Sequence, residues 1–130
     1  MNRDPVRVVA LHSVTRLTAD HAGQVAVAAS HGGVYAGHCA ALGRLRAVIL
    51  NDAGVGRAQA GIGSLAYLER LGMAAATADS RSCRIGDGRS VHADGIVSCV
   101  NETAARLGVV VGDSVQAFIA KASDPGPRAA

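Results

Sequence analysis

Tryptophan is absent from this chain, and Tyr35, Tyr67 and Phe118 are its only aromatic residues. A core must then be built from Val, Leu, Ile and Ala, small side chains that gain only about 25 cal/mol per Å² buried. The 16 glycines allow close backbone approach, and a homo-oligomeric interface is expected to supplement so light a core. Scarce aromatics also leave bases nothing to stack on. With the basic residues scattered along the chain, nucleic acid is excluded as a partner despite a sequence pI near 9.1. Lysine is nearly missing as well: of 13 basic residues only Lys121 is not arginine. Arginine suits bidentate anion binding, although arginine-rich codon usage produces the same bias.

Other absences narrow the class further. The three cysteines, Cys39, Cys83 and Cys99, have no metal-type spacing, and their odd number argues against a disulfide framework. No run approaches the roughly 18 apolar residues of a membrane span. The opening Met1–Pro5 is polar, with no signal-peptide pattern behind it. These features predict a cytoplasmic protein with reduced thiols, no membrane partner and no cofactor.

What is present is a chain of 130 residues, 49% hydrophobic, of a size that buries roughly two-thirds of its unfolded surface. It reads as one domain over residues 1–122 with a frayed tail over 123–130. Val6–Leu11 is a first strand of undetermined orientation, and Thr18–His21 has room for one helical turn. Val25–Ala29 is a second strand, followed by the break Ser30-His31-Gly32-Gly33. A helix over Val34–Leu42 closes on Gly43 as its left-handed C′ glycine. Arg46–Leu50 is the third strand. After the break Asn51–Gly56 a helix continues to Leu71, with Ile62, Leu65, Leu68 and Leu71 as its core-facing stripe. Met73–Ala78 is the fourth strand, and the polar stretch Asp79–Asp94 follows. Ile96, Val100, Ala104 and Leu107 predict a third helix over Gly95–Leu107. Val109–Val111 is an edge strand or an apolar link, and Asp113 or Ser114 caps a last helix through Lys121. This alternation predicts a three-layer α/β domain, flavodoxin-like or Rossmann-like, with a mostly parallel small sheet of about 4–5 strands.

Parallel strands send their following loops to one carboxyl edge, where open α/β sheets bind ligands. The first break offers Ser30, His31, Gly32 and Gly33 at a helix N-terminus, a setting for a carboxylate or phosphate. Histidine titrates near neutrality and suits acid–base work. The second offers Asn51, Asp52, Gly54 and Gly56. It lacks the third glycine of a dinucleotide fingerprint, since Gln59 stands at that place. Helix capping is the structural alternative for Asn51 and Asp52. The polar stretch adds Arg81, Ser82 and Arg84, with a bidentate arginine clamp on the anion as the functional role and pairing to nearby aspartates as the bland one. Cys83 sits among arginines, which favour a thiolate, but a quiet, partly buried thiol is the expectation for it. His31, His38, Asp52 and His92 lack metal-ligand spacing, and no metal is expected.

The sequence therefore predicts a small cytoplasmic enzyme, or enzyme-like domain, acting on a small anionic metabolite. Asp52 and His31 carry its acid–base chemistry, and the reaction is a hydrolysis, elimination or isomerisation. The alternatives are a non-catalytic module for a small anion or nucleotide, and a structural subunit of a larger assembly.

Overall fold

Strands covered on both faces read as unbroken apolar runs rather than as alternating ones. The runs beginning at Val25, Ala47 and Ala74 are of this kind. In the computed structural model, which describes residues 6–124, they become β2 (Val25–His31), β3 (Ala47–Asn51) and β4 (Ala74–Ala78). β1 (Val8–Leu11) pairs parallel to β2. β2, β3 and β4 are parallel to one another, and β5 (Val97–Val100) is antiparallel to β4. The spatial order β1-β2-β3-β4-β5 follows the chain order without a reversal.

Two layers of helix cover the sheet. α1 (Val34–Leu42) and α2 (Gly63–Arg70) share one face, where Ala36, Ala40, Leu65 and Leu68 pack on Ala26, Ala28, Val48, Leu50 and Ala75. On the other face α3 (Gly88–Asp94), α4 (Glu102–Arg106) and α5 (Val115–Ser123) bring Val91, Ala104, Val115, Phe118 and Ala122 onto Val25, Val27, Ile49 and Ala76. The result is the three-layer, mostly parallel α/β arrangement of flavodoxin-like and Rossmann-like proteins. Small side chains let the layers approach closely. A Cβ at Gly37 of α1 would stand 3.1 Å from the Cβ of Ser64 on α2. Among the described residues no helix is long and apolar enough to cross a membrane.

Several sequence expectations are corrected. The proposed helix over Gly95–Leu107 is instead β5 followed by the short α4, and the end of the polar stretch before it is α3. Ile96, Val100 and Ala104 recur at helical spacing, but β-branched Val97 and Val100 complete the sheet. Asn101 then ends the strand and caps α4, its side chain accepting the N–H of Ala104. Cys99 consequently lies on a strand rather than a helix. Gly43 keeps right-handed backbone as the C-cap of α1, and it is Arg44 that turns left-handed, at φ 52°. Ser30 and His31 belong to β2 rather than to a loop. Leu71 is exposed, because α2 ends one residue before it. A 3-10 segment, Arg57–Ile62, precedes α2 and contains Gly61. Val109–Val111 is an apolar link, and Ser114 is the cap of α5, accepting from the N–H of Ala117. The tail expected over residues 123–130 is α5 at Ser123, and residues 125–130 lie outside the described residues.

Carboxylates outside the rim tie peripheral elements down. Glu69 of α2 accepts from both the N–H and the hydroxyl of Thr103 on α4, at 2.8 and 2.9 Å. Those two bonds hold its carboxyl below the ordinary range. Asp113 is lowered likewise, first by Lys121 Nζ at 2.7 Å and then by the N–H of Val110. Depressed folded values mean stability that is present above the unfolded carboxylate range and lost as pH falls through the folded one. The thermal midpoint is expected to hold steady down to about pH 5 and to fall below about pH 4. Replacing Glu69 by Gln, which keeps an acceptor oxygen, should flatten part of that fall. A midpoint that rises on acidification would contradict these pairings.

Candidate functional site

β2 and β3 meet the carboxyl edge side by side, because His31 is the register partner of Asn51. Their Cα atoms are one strand spacing apart, about 4.8 Å. His31 and Asp52 therefore leave the same rim from neighbouring strands. At this rim, bordered by His31, opens a cleft of about 390 Å³. His31 and Gly33 line one wall, and Ala53, Val55, Gly56, Ala60 and Gly61 line the other. His31 is exposed and makes no side-chain hydrogen bond among the described residues. The first-turn N–H groups of α1 lie beyond Gly33, its N-cap, and such groups lack intrahelical partners.

The two glycine-rich breaks are locked together by backbone. Gly32 donates its N–H to the carbonyl of Asn51 at 2.7 Å, and its own carbonyl accepts the N–H of Ser64 at 2.8 Å. A Cβ on Gly32 would run into the carbonyl oxygen of Gly61, and one on Gly61 into the carbonyl oxygen of Asp52. Neither glycine has positive φ. Their use here is close approach. Between them the chain takes an unusual course, with Ala53, Gly54, Val55 and Gly56 all at positive φ. Val55, at φ 69°, is β-branched and pays for that conformation with strain.

This course consumes the loop's own donors. The N–H of Ala53 goes to Asn51 Oδ1 at 2.7 Å and that of Gly54 to Asp52 Oδ1 at 2.8 Å. The N–H groups of Val55 and Gly56 bond the carbonyls of Asp52 and Gly54. Gly56 thus shapes the wall and Gly54 does not line it, while the amides of both are spent internally. Asp52 is only 4% exposed and does not line the cleft. Its Oδ1 also accepts the N–H of Ser80 at 3.0 Å. Its Oδ2 has no hydrogen-bond partner among the described residues.

The third segment is a strap laid along the rim on the α3 side. From β4 it passes β3, where Ser80 meets Asp52 and the buried Sγ of Cys83 lies 3.7 Å from Asn51 Nδ2. It passes β2, where Gly86 donates to the carbonyl of Ala29, and reaches β1, where Gly88 donates to His12 Nδ1. Arg81 is turned onto Asp79, 3.1 Å away. That guanidinium lowers the Asp79 carboxyl, and Asp79 in turn holds Arg81 more firmly protonated. Ser82 Oγ donates to the carbonyl of Asp79 and accepts the N–H of Ile96. Arg84 is exposed and free of acidic partners among the described residues. Burial pushes the Cys83 thiol up despite the nearby arginines, and the charges of Asp52, Asp79 and Asp94 add to the rise. Cys83 is a packed thiol here rather than an activated one.

Of the residues the sequence singled out, the structure therefore brings His31, Gly33 and Gly56 to one cleft. Asn51, Asp52 and Gly32 form the hub beneath it. Ser30 turns away, accepting the N–H of Val14 at 2.9 Å. His38 meets the Tyr67 hydroxyl at 3.1 Å, and His92 faces Gln116. Asn101 lies at the amino end of β4, away from the cleft, and accepts the N–H of Ala75. Among the described residues no group of three His, Cys, Asp or Glu is placed to hold a metal ion. Ala53, Val55, Ala60 and Gly61 also line the cleft without having been singled out in the sequence, and Gly54 and Gly56 around Val55 were the available signal. Comparison of the chain with protein-family models, with curated proteins and with solved structures finds no match in any of the three.

Proposed function

We propose that the chain is a small enzyme, or enzyme-like domain, acting on a small carboxylate- or phosphate-bearing metabolite at the carboxyl edge of its sheet. The observation that carries this reading is the cleft itself. It sets an exposed, unpartnered imidazole opposite a strained, side-chain-poor wall, next to the N-terminus of α1. Strain of this kind is retained where function requires it, and a helix N-terminus favours an anion. In this reading His31 exchanges a proton with the substrate. Asp52 supplies the second acid–base group through the oxygen its scaffold bonds leave over. Arg84 is the cation available to reach the anion, because Arg81 is occupied.

A second reading, a binding module without catalysis, draws on the burial of Asp52 and the two N–H bonds to its Oδ1, which suit a scaffold carboxylate. Two further parts of the proposal concern setting. Three free thiols fit a reducing, cytoplasmic compartment. The uncharged outer face of α1, with Val34, Tyr35 and Leu42 more than half exposed beside a groove of about 380 Å³, fits a homo-oligomer.

The test is a thermal-shift screen of small carboxylates and phosphates, followed by assays of turnover on those that bind. A ligand at a hundredfold excess over its Kd stabilises by about 2.7 kcal/mol, or roughly 10 °C in midpoint for a domain of this size. His31→Ala should leave the ligand-free midpoint unchanged, since the side chain makes no bond that folding needs, and should abolish turnover. Turnover that survives the substitution would remove His31 from the chemistry. Ligand shifts without turnover in either protein would select the binding module.

A further inference from the structure

The wall of the cleft across from His31 is distinguished by what it cannot offer a ligand. Among the described residues its side chains are the methyl groups of Ala53 and Ala60 and the isopropyl group of Val55, with glycine at positions 56 and 61. None of these can donate or accept a hydrogen bond. The backbone behind them is engaged as well. The N–H of Ala53 goes to Asn51 Oδ1, and those of Val55, Gly56 and Gly61 go to the carbonyls of Asp52, Gly54 and Val55. The carbonyls of Gly56 and Ala60 accept the N–H groups of Gln59 and Gly63. A ligand hydroxyl laid on this wall would give up water and find no donor in return. Hydrocarbon gives up nothing there and gains by leaving water.

Val55 adds an independent observation. It holds φ 69°, a conformation that glycine adopts freely and a β-branched residue does not. Glycines stand on both sides of it, at φ 75° and 72°, and a third would remove the strain. Strain kept at such a place points to a use for the side chain that causes it, and Val55 turns that side chain to the cleft.

We propose that this wall receives hydrocarbon, so that the metabolite of the cleft is a short aliphatic carboxylate or alkyl phosphate. Its anion lies beside His31 and Gly33, and its unsubstituted tail lies on Ala53, Val55 and Ala60. The inference rests on the anion reading above and narrows it, since sugar phosphates and polyhydroxy acids are rejected by the wall. Val55 is the residue that sets this specificity. The cleft also bounds the tail, because about 390 Å³ is near the lower end of the roughly 300–1,000 Å³ of small-molecule sites.

Dissociation constants measured by NMR titration of the full chain decide it. Along acetate, propionate, butyrate and pentanoate, affinity should rise roughly fourfold per added methylene, the scale of one buried CH₂ group. Butyrate should bind roughly tenfold tighter than γ-hydroxybutyrate, and propyl phosphate should exceed glycerol phosphate by at least as much, because each hydroxyl is stranded. In the wild type the methyl signals of Ala53, Val55 and Ala60 should move further as the tail lengthens. Val55→Asn locates the effect, since asparagine tolerates left-handed backbone and sets an amide where the isopropyl group stood. There the gain per methylene and the discrimination against the hydroxyl should both fall to about twofold or less. Affinity that is flat along the series, or hydroxylated members that bind as tightly as their parents, overturns the inference and leaves the anion reading standing. A full length dependence in Val55→Asn, or Val55 methyl signals that stay still in the wild type, overturns the assignment to this wall. If no member binds, the anion reading itself falls and the inference with it.

Discussion

Gly61→Ala is expected to leave the protein unfolded or barely folded at room temperature. The added Cβ would collide with the carbonyl oxygen of Asp52 and would stand 2.9 Å from the carbonyl carbon of Asp52 and 3.1 Å from the carbonyl oxygen of Val55. All three are backbone atoms, so no side chain can swing aside. Gly61 is also tied to that carbonyl of Val55 by its own N–H at 2.7 Å. Overpacking that side chains can absorb costs about 1–3 kcal/mol. Here the loop must leave Asp52, and the cost should reach the exceptional range above about 4 kcal/mol, against a total stability of about 5–15 kcal/mol. Gly32→Ala should behave similarly, since its Cβ meets the carbonyl of Gly61 and lies 2.8 Å from Thr77 Cγ2. Gly56→Ala is the control. Nothing lies within 4 Å of its Cβ position, and only its φ of 72° resists substitution, at about 1–3 kcal/mol. Urea denaturation of the three variants checks this ranking. A Gly61→Ala protein as stable as the wild type would mean that the Arg57–Ile62 segment does not rest on Asp52.

Asn101→Ala should be the most damaging loss of a single polar side chain. Asn101 is 6% exposed and completes four hydrogen bonds. Oδ1 accepts the N–H groups of Ala75 and Ala104 at 3.0 and 2.9 Å. Nδ2 donates to the carbonyls of Met73 and Leu65 at 2.8 and 3.4 Å. Truncation removes the cap of α4, worth about 0.5–2 kcal/mol, and strands buried backbone groups at about 1–3 kcal/mol each. A loss of about 3–5 kcal/mol is expected, a fall of more than about 10 °C in thermal midpoint. Asn101→Asp separates the two halves of the network. It keeps the acceptor for Ala75 and Ala104 but sets a carboxylate oxygen against the carbonyl of Met73, so it should also destabilise. Asn101 lies at the far end of β4 from the cleft, so ligand affinity of the folded fraction should not change. A midpoint within a degree or so of wild type would show that the four bonds contribute nothing net.

How far the sequence could be read follows from what each signal depends on. β2, β3 and β4 were legible because their apolar runs are long and unbroken, and α1 because Gly33 and Gly43 bracket it. The shared rim of His31 and Asp52 follows from parallel pairing alone. Gly95–Leu107 was misread because spacing of four residues serves a helix and also the strand-turn-helix that Asn101 makes by capping α4. The chemistry at the rim was less legible, since it depends on which loops touch. No local pattern says that Ser80 will supply an N–H to Asp52. Nor does one say that the amides of Gly54 and Gly56 will be used up by their own loop, whereas the pairing of Arg81 to Asp79 is the local alternative that the sequence offered. The bond from Ser80 to Asp52 exists only once the strap lies across the rim.

The unreversed strand order has a consequence for how the molecule is made. Each strand pairs with the one synthesised just before it, so the sheet can grow by accretion as the chain leaves the ribosome. The strap comes from beyond β4 yet touches the ends of β3, β2 and β1, and it has nothing to lie on until all of them stand together. The rim, with the buried thiol of Cys83 beneath it, is thus sealed only once β1 to β4 stand together.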